Sequence, residues 1–138
     1  MKPVQLFQRS LAVTILLAAT MAHGEGCGCG GGGFELGPPT GAECPPDSTL
    51  TYEGFAVPFF AAYCNDCHSS ELHGEDRMGA PSFHDFDTQL GIQQVAEHID
   101  AASGSGPDAT NTGMPEEAPF PTLVERQQLA EWIACGAP

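Results

Sequence analysis

Residues 64–68 are Cys64-Asn65-Asp66-Cys67-His68, a C-x-x-C-H motif near the middle of a 138-residue chain. Two thiols three positions apart lie on one face of a helical turn, where each can reach one vinyl group of the same porphyrin. An imidazole directly after the second thiol can ligate the iron from the proximal side. In an exported chain this spacing is typical of covalent haem c attachment. The motif therefore predicts one haem held by Cys64, Cys67 and His68.

Two other uses of this thiol spacing are the alternatives. A zinc site takes four ligands, usually from two such pairs, and the second pair would have to be Cys27 and Cys29, which lie at odd spacing in a glycine tract. A dithiol redox pair belongs in a βαβ context, which the sequence does not show. The motif favours haem over both.

The N-terminus has the features of an export signal. Lys2 and Arg9 precede an apolar run at residues 11–22 that is short for a membrane span. Residues 1–24 are predicted to be cleaved, and an uncleaved membrane anchor is the alternative. The expected location of the mature protein is the periplasm.

Composition divides the remaining chain into two parts. Residues 25–49 are rich in glycine, proline and acidic residues, and Phe34 and Leu36 are their main apolar side chains. Such a segment cannot bury enough apolar surface to offset its ordering entropy, so it is predicted to be a flexible linker. The folded domain is predicted to span residues 50–138.

The other four cysteines fit an oxidising compartment. Cys44 and Cys135 lie just outside the two ends of the predicted helical region, and we expect a disulfide between them, with two unpaired thiols as the alternative. Cys27 and Cys29 either pair with each other or include a lipid acceptor, although the preceding residues lack a lipoprotein signal.

The chain is strongly acidic, with a formal net charge of −14 that becomes −16 once Lys2 and Arg9 are removed. This charge argues against nucleic acid and anionic lipid as partners. Membrane contact is expected only through an N-terminal anchor or lipid. The expected partners are redox proteins with a basic or apolar docking surface.

A first helix is predicted to begin near Val57 and to end at Cys67. Pro58 is tolerated in the first turn of a helix and so sets its start. Bulky side chains follow on one stripe that can cover a haem edge and meet another helix, namely Phe59, Phe60 and Tyr63.

Two further helices are predicted. Asp87 is a fair N-cap for a helix through about Ala102, whose apolar face comprises Leu90, Val95, Ile99 and Ala102. Thr122 and Glu125 form a capping box at the start of the last helix, and Gly136 ends it. The apolar stripe of that helix comprises Leu129, Trp132 and Ile133. The first and last helices are expected to cross and to enclose the haem.

The order of these features resembles class I c-type cytochromes over roughly residues 50–137. The shared features are a helix ending in C-x-x-C-H, a looped middle, Met114-Pro115 and a capped C-terminal helix with an aromatic residue. The resemblance implies a small all-α domain wrapped around one covalently bound haem. It also implies single-electron transfer with His68 and Met114 as axial ligands. The protein would then be an electron carrier and not an enzyme, either alone or as a subunit of a redox complex.

The distal ligand has competitors. Met114 precedes the last helix, and its thioether raises the reduction potential relative to a second imidazole. Met78, His73 and His84 lie in the loop expected on the proximal side. His98, on the second helix, is the main alternative.

Two further residues are assigned near the haem. The resemblance implies that the carbonyl of Pro81 accepts a hydrogen bond from the proximal imidazole, unless Pro81 is an ordinary turn residue. Arg77 is expected to pair with a haem propionate, and the alternative is a surface arginine among acids.

Two other function classes remain open at this point. A haem enzyme or a gas or redox sensor would have an open or exchangeable distal position, which Met114-Pro115 argues against. A zinc-bound or disulfide-stabilised binding module would hold no haem.

Overall fold

A computed structural model describes residues 35–138, in which the chain folds as a small all-helical domain without strands. The helices are α1 (Val57–Tyr63), α2 (Asn65–His68), α3 (Gln89–Gln94), α4 (Ala96–Ser103) and α5 (Leu123–Ala134). A π-helical turn (Tyr52–Ala56) leads into α1, and a 3-10 turn (Gly74–Arg77) follows α2. None of the helices in this range is long and apolar enough to cross a membrane. The predicted export signal, Cys27 and Cys29 lie outside the described residues.

The predicted first helix is interrupted at the C-x-x-C-H motif. Pro58 lies in the first turn of α1, as expected from its missing N–H and fixed φ. Cys64 has φ −130°, which is not helical, and it separates α1 from α2. The Cys64 carbonyl still accepts from the His68 N–H at 3.0 Å. The motif therefore forms a helical turn of its own instead of the end of α1.

The predicted helix from Asp87 to Ala102 is also two helices. It breaks at Val95, where φ is −129°, and divides into α3 and α4, each of which has buried side chains of its own. Its N-cap is Thr88, whose hydroxyl accepts from the Gly91 N–H at 3.1 Å, and the prediction of Asp87 was wrong. Leu90, predicted on the apolar face, is 65% exposed.

The prediction of the last helix is confirmed. Thr122 and Glu125 form the capping box, with the Thr122 N–H donating to Glu125 Oε2 at 2.8 Å and the Glu125 N–H donating back to the Thr122 hydroxyl. Gly136 follows the helix with φ +88°, a conformation that side chains with a Cβ disfavour. Leu129 and Trp132 are fully buried.

The core is built around Phe60, whose ring lies 5.4 Å from that of Phe86 and 6.3 Å from that of Trp132. The Tyr63 hydroxyl donates to Glu125 at 2.9 Å, so α1 and α5 meet as predicted, through these side chains. The remaining buried apolar residues of the core are Ala56, Phe59, Ile92, Val95, Ile99, Leu129 and Ala137.

The described part of the predicted linker is held against the helices. The Gly37 N–H donates to the Ala101 carbonyl at 2.9 Å, and both the backbone and the hydroxyl of Thr40 donate to Asp100. The predicted Cys44–Cys135 disulfide is confirmed and joins the segment to the end of α5. Polar bonds and one covalent link thus replace the apolar contacts that the composition of residues 37–48 lacks.

Candidate functional site

The two cysteines of the motif lie on one helical turn with unpaired thiols. Cys64 precedes α2, Cys67 and His68 belong to it, and neither cysteine forms a disulfide. Burial raises the pKa of the Cys64 thiol to about 12, against the opposing attraction of the Arg126 charge. Burial and the nearby acids Asp66, Glu117 and Glu116 raise the pKa of Cys67 as well. Neither environment provides the lowered pKa of a reactive dithiol pair.

His68 is partly buried and held flat against Phe86. The two ring centroids are 4.4 Å apart with an interplanar angle of 10°, and the Phe86 N–H donates to the His68 carbonyl at 2.7 Å. Burial, followed by the neighbouring His84 ring, lowers the pKa of His68 to about 4. The imidazole is therefore neutral near pH 7 and keeps the lone pair that a metal ligand needs.

Two buried polar side-chain atoms in residues 35–138 have no hydrogen-bond partner, Asn65 Oδ1 and His68 Nδ1. Both belong to the five-residue motif. Buried polar groups are nearly always hydrogen-bonded, so each exception requires a reason, such as a functional group that takes part in binding. The polar atoms left unsatisfied in the described chain coincide with the predicted attachment site.

Arg77 organises the loop that follows the motif. Its side chain is 6% exposed, and it forms an ion pair with Asp85 at 2.9 Å. The guanidinium also donates to five backbone carbonyls, those of Ser69, Leu72, Ala80, Pro81 and His84. The loop from residue 69 to 85 is thus wound around one buried cation, and the predicted pairing of Arg77 with a propionate stays a prediction.

Pro81 lies in the same loop. Its carbonyl accepts from Arg77 Nη2 at 2.7 Å and from the His84 N–H at 3.0 Å. A bond from His68 Nδ1 is not among its contacts in this structure. The role of Pro81 toward the proximal imidazole stays a prediction.

Met114 is fixed by its backbone in the loop between α4 and α5. Its N–H donates to the Ala102 carbonyl at 3.0 Å, and its carbonyl accepts from the Ser103 hydroxyl and from Arg126 Nη1, each at 3.0 Å. The side chain is partly buried. Glu116 and Glu117, just beyond Pro115, lie near enough to Cys67 to raise its pKa, so the chain after Met114 approaches the motif.

The competing ligands lie elsewhere around the motif. Met78 is 66% exposed, and its sulfur lies 3.6 Å from that of Cys67. The His84 ring lies 5.9 Å from the His68 ring and 5.9 Å from the His98 ring, so the three imidazoles form a row that begins at the motif. His98 is exposed and His84 partly buried.

The donor set of the motif suits a haem attached through sulfur. It offers two free thiols, one neutral imidazole and the apolar ring of Phe86 beside that imidazole. Among residues 35–138, no three His, Cys, Asp or Glu side chains come together as a metal-binding group. Two surface clefts, of about 430 and 400 Å³, border α4 and are not lined by the motif.

Sequence reasoning missed Arg126 and Phe86. Arg126 is a charged residue three positions before Leu129 on the buried stripe of α5, and this breach of amphipathic patterning is visible in the sequence. Phe86 carries no comparable signal, because its contact with His68 depends on how the intervening loop closes.

Searches against protein-family models, curated proteins and solved structures found no match for this chain.

Proposed function

We propose that the protein is a monohaem c-type cytochrome that carries single electrons between redox partners in the periplasm. One observation carries the proposal: the thiols of Cys64 and Cys67 are unpaired beside His68, although Cys44 and Cys135 of the same chain form a disulfide. In a chain that also forms a disulfide, a C-x-x-C pair whose thiols are not bonded to each other is consistent with thiols that form thioether bonds to a haem.

The chain's own residues have distinct roles in this proposal. Cys64 and Cys67 anchor the group on one helical turn, and His68 supplies the proximal nitrogen. Phe86 and the loop wound around Arg77 fix the position of the imidazole and its backbone. When bound, haem supplies an iron that accepts one electron to become ferrous and releases it to become ferric again. No proton or chemical group is transferred in that exchange.

Met114 is the proposed distal ligand. Three hydrogen bonds hold its backbone, and the acids that follow it lie close to Cys67. A thioether ligand from Met114 would keep water and substrates away from a bound iron, which suits a carrier rather than an enzyme.

The surface of this protein on which the proposed redox partner would dock is apolar or acidic. Phe120, Leu123 and Val124 are all more than half exposed at the start of α5. The bond between Tyr63 and Glu125 places this end of α5 beside the residue that precedes Cys64. An apolar patch with acidic surroundings suits a partner whose surface is apolar and basic.

The visible spectrum of protein matured with a haem-ligation apparatus tests the proposal. We expect pigment that survives acidic organic extraction and a sulfur–iron charge-transfer band seen only in the oxidised form. Met114→Ala should abolish the band, whereas the matched variant Met78→Ala should retain it. Colourless protein, or pigment lost on extraction, contradicts haem attachment; a band that survives in Met114→Ala contradicts the choice of ligand.

A further inference from the structure

Arg126 is a buried cation without a carboxylate partner. It is 4% exposed, and within residues 35–138 the ion pair between Arg77 and Asp85 is the single one formed. Burying a guanidinium away from a counter-charge is costly unless its N–H groups are satisfied. Arg126 Nη1 donates to three backbone carbonyls, those of Ser103, Asn111 and Met114, at 2.9–3.0 Å. All three bonds come from Nη1, and Nε and Nη2 make none within residues 35–138, so these charge-assisted bonds offset only part of the cost of burying the charge.

The three carbonyls belong to one stretch of chain, from the end of α4 to Met114. The Arg126 carbonyl also accepts from the Ser105 N–H at 3.0 Å, so the same residue contacts this stretch from its backbone. The Ser103 hydroxyl reaches the Met114 carbonyl as well. Arg126 and the Ser103 hydroxyl thus fix the Met114 carbonyl together, while the Ala102 carbonyl accepts from the Met114 N–H.

Arg126 also lies near the start of the motif. The hydroxyl of Tyr63, the residue before Cys64, donates at 2.9 Å to Glu125, the residue before Arg126. The turn of α5 that binds the Met114 carbonyl therefore also contacts the chain directly before the first cysteine of the motif.

We propose that Arg126 is a positioning residue that holds the Met114 loop in reach of the metal through its bond to the Met114 carbonyl. This inference rests on the proposed function, because it assumes that Met114 is the distal ligand. A weak ligand in a free loop would lose most of its affinity to the entropy of ordering the loop. Arg126 lowers this entropic cost because it restrains the Met114 backbone before the Met114 sulfur binds.

Ser48 provides a matched control for Ser103. Its partly buried hydroxyl also makes one hydrogen bond to a residue distant in sequence, donating to Glu131 on α5 at 2.7 Å, but neither Ser48 nor Glu131 belongs to the motif or to the Met114 loop. A purely structural role for such contacts predicts similar consequences for Ser48→Ala and Ser103→Ala. A positioning role predicts that the two variants differ in the sulfur–iron band.

The test uses the haem-loaded protein and the variants Arg126→Gln, Arg126→Lys, Ser103→Ala and Ser48→Ala. We expect Arg126→Gln to keep its covalent pigment but to lose the sulfur–iron band of the oxidised form and to fall in midpoint potential. Exchange of the Met114 and Asn111 amide hydrogens should accelerate about tenfold or more. Ser48→Ala should retain the band. If Arg126→Gln does not fold, Arg126→Lys and Ser103→Ala provide milder changes at the same carbonyls and should weaken the band in part.

The outcomes separate the two proposals. Wild-type protein without covalent pigment contradicts the proposed function itself. Pigmented wild type whose band is absent, or survives Met114→Ala, overturns Met114 as ligand and the role of Arg126 with it. A band lost in Met114→Ala but unchanged in the folded Arg126 and Ser103 variants overturns the positioning role alone, as does an equal loss in Ser48→Ala and Ser103→Ala.

Discussion

The N–H of Phe86 donates to the carbonyl of His68 at 2.7 Å, and the two rings stack with centroids 4.4 Å apart. Phe86 also contacts Phe60, whose ring is 5.4 Å away and 1% exposed. His68 is therefore connected to the centre of the core by two aromatic contacts. The orientation of the proposed proximal ligand depends on the same packing that stabilises the fold.

Truncation of Phe86 is expected to destabilise the protein strongly. Phe86→Ala removes a buried ring and should lower the free energy of unfolding by about 3–5 kcal/mol, whereas Phe86→Leu, which keeps most of the volume, should cost about 1 kcal/mol. Fluorescence of Trp132, the one tryptophan of the chain, reports unfolding in denaturant. The control is Phe83→Ala, a change at a ring that is 58% exposed and should shift stability by no more than about 0.5 kcal/mol. Equal losses in the Phe83 and Phe86 variants would contradict this role.

Asp87 should give the protein a pH-dependent contribution to stability. Its carboxylate accepts from the N–H and hydroxyl of Ser70 and from the hydroxyl of Ser69, directly after the motif. Burial disfavours the charge, but these hydrogen bonds outweigh it and hold the pKa of Asp87 below its ordinary value. A lowered folded-state pKa stabilises the fold above the unfolded-state pKa of about 3.9, and the gain is lost as pH falls through the folded-state pKa.

Asp87→Asn is therefore expected to cost about 1–3 kcal/mol at pH 7 and less near pH 3. Urea unfolding at the two pH values measures the difference. Asp76→Asn, a change on the exposed 3-10 turn, is the control and should alter stability by no more than about 0.5 kcal/mol. If Asp87→Asn loses as much unfolding free energy at pH 3 as at pH 7, the ionised carboxylate is not the source of the stabilisation.

Local signals in the sequence were sufficient for the helix ends that depend on short-range chemistry. Pro58 placed the start of α1, and the Thr122–Glu125 capping box placed the start of α5. Asp87 failed as an N-cap because Ser69 and Ser70, distant in sequence, compete for its carboxylate, and Thr88 takes its place. A cap is predictable only when no tertiary partner offers its side chain a better bond.

Features that depend on loop closure were beyond sequence reasoning. Periodicity does not reveal that Val95 and Cys64 leave the helical conformation. Composition predicted a flexible linker over residues 25–49, because composition counts apolar side chains and does not reveal polar bonds such as those from Thr40 to Asp100. For the candidate site, the motif predicted Cys64, Cys67 and His68 from chemistry alone. Arg126 carried a sequence signal, as a charge on the buried stripe of α5, but its contacts required the structure, and Phe86 carried no signal at all.

The Cys44–Cys135 disulfide is expected to supply a large share of the stability. It joins residues separated by 91 positions, and closing so long a loop contributes about 4.5 kcal/mol in the chain-entropy model. Cys44→Ser/Cys135→Ser should therefore unfold at a much lower denaturant concentration than the parent protein. Reductant should lower the midpoint of the parent and leave that of the double variant unchanged. If the parent is as stable with reductant as without it, the bond contributes nothing under those conditions.

The two motif thiols should differ in reactivity in protein expressed without a haem-ligation apparatus. Burial raises the pKa of Cys64 to about 12, so its thiolate is scarce at pH 8. A more basic thiolate is also a better nucleophile, but this gain is smaller than the loss caused by the low fraction of thiolate. Alkylation of Cys64 should therefore be slower than that of an ordinary surface thiol by roughly two orders of magnitude. Cys64 packs against the core, whereas Cys67 does not belong to that packing, and the pKa of Cys67 is raised by burial and by acids that include Asp66, Glu116 and Glu117. Iodoacetamide labelling followed by peptide mass analysis should find Cys67 modified first. Glu116→Gln/Glu117→Gln should accelerate the labelling of Cys67 without changing that of Cys64, and denaturant should bring the two rates together. Faster labelling of Cys64 in the folded protein would contradict the burial that the structure gives it.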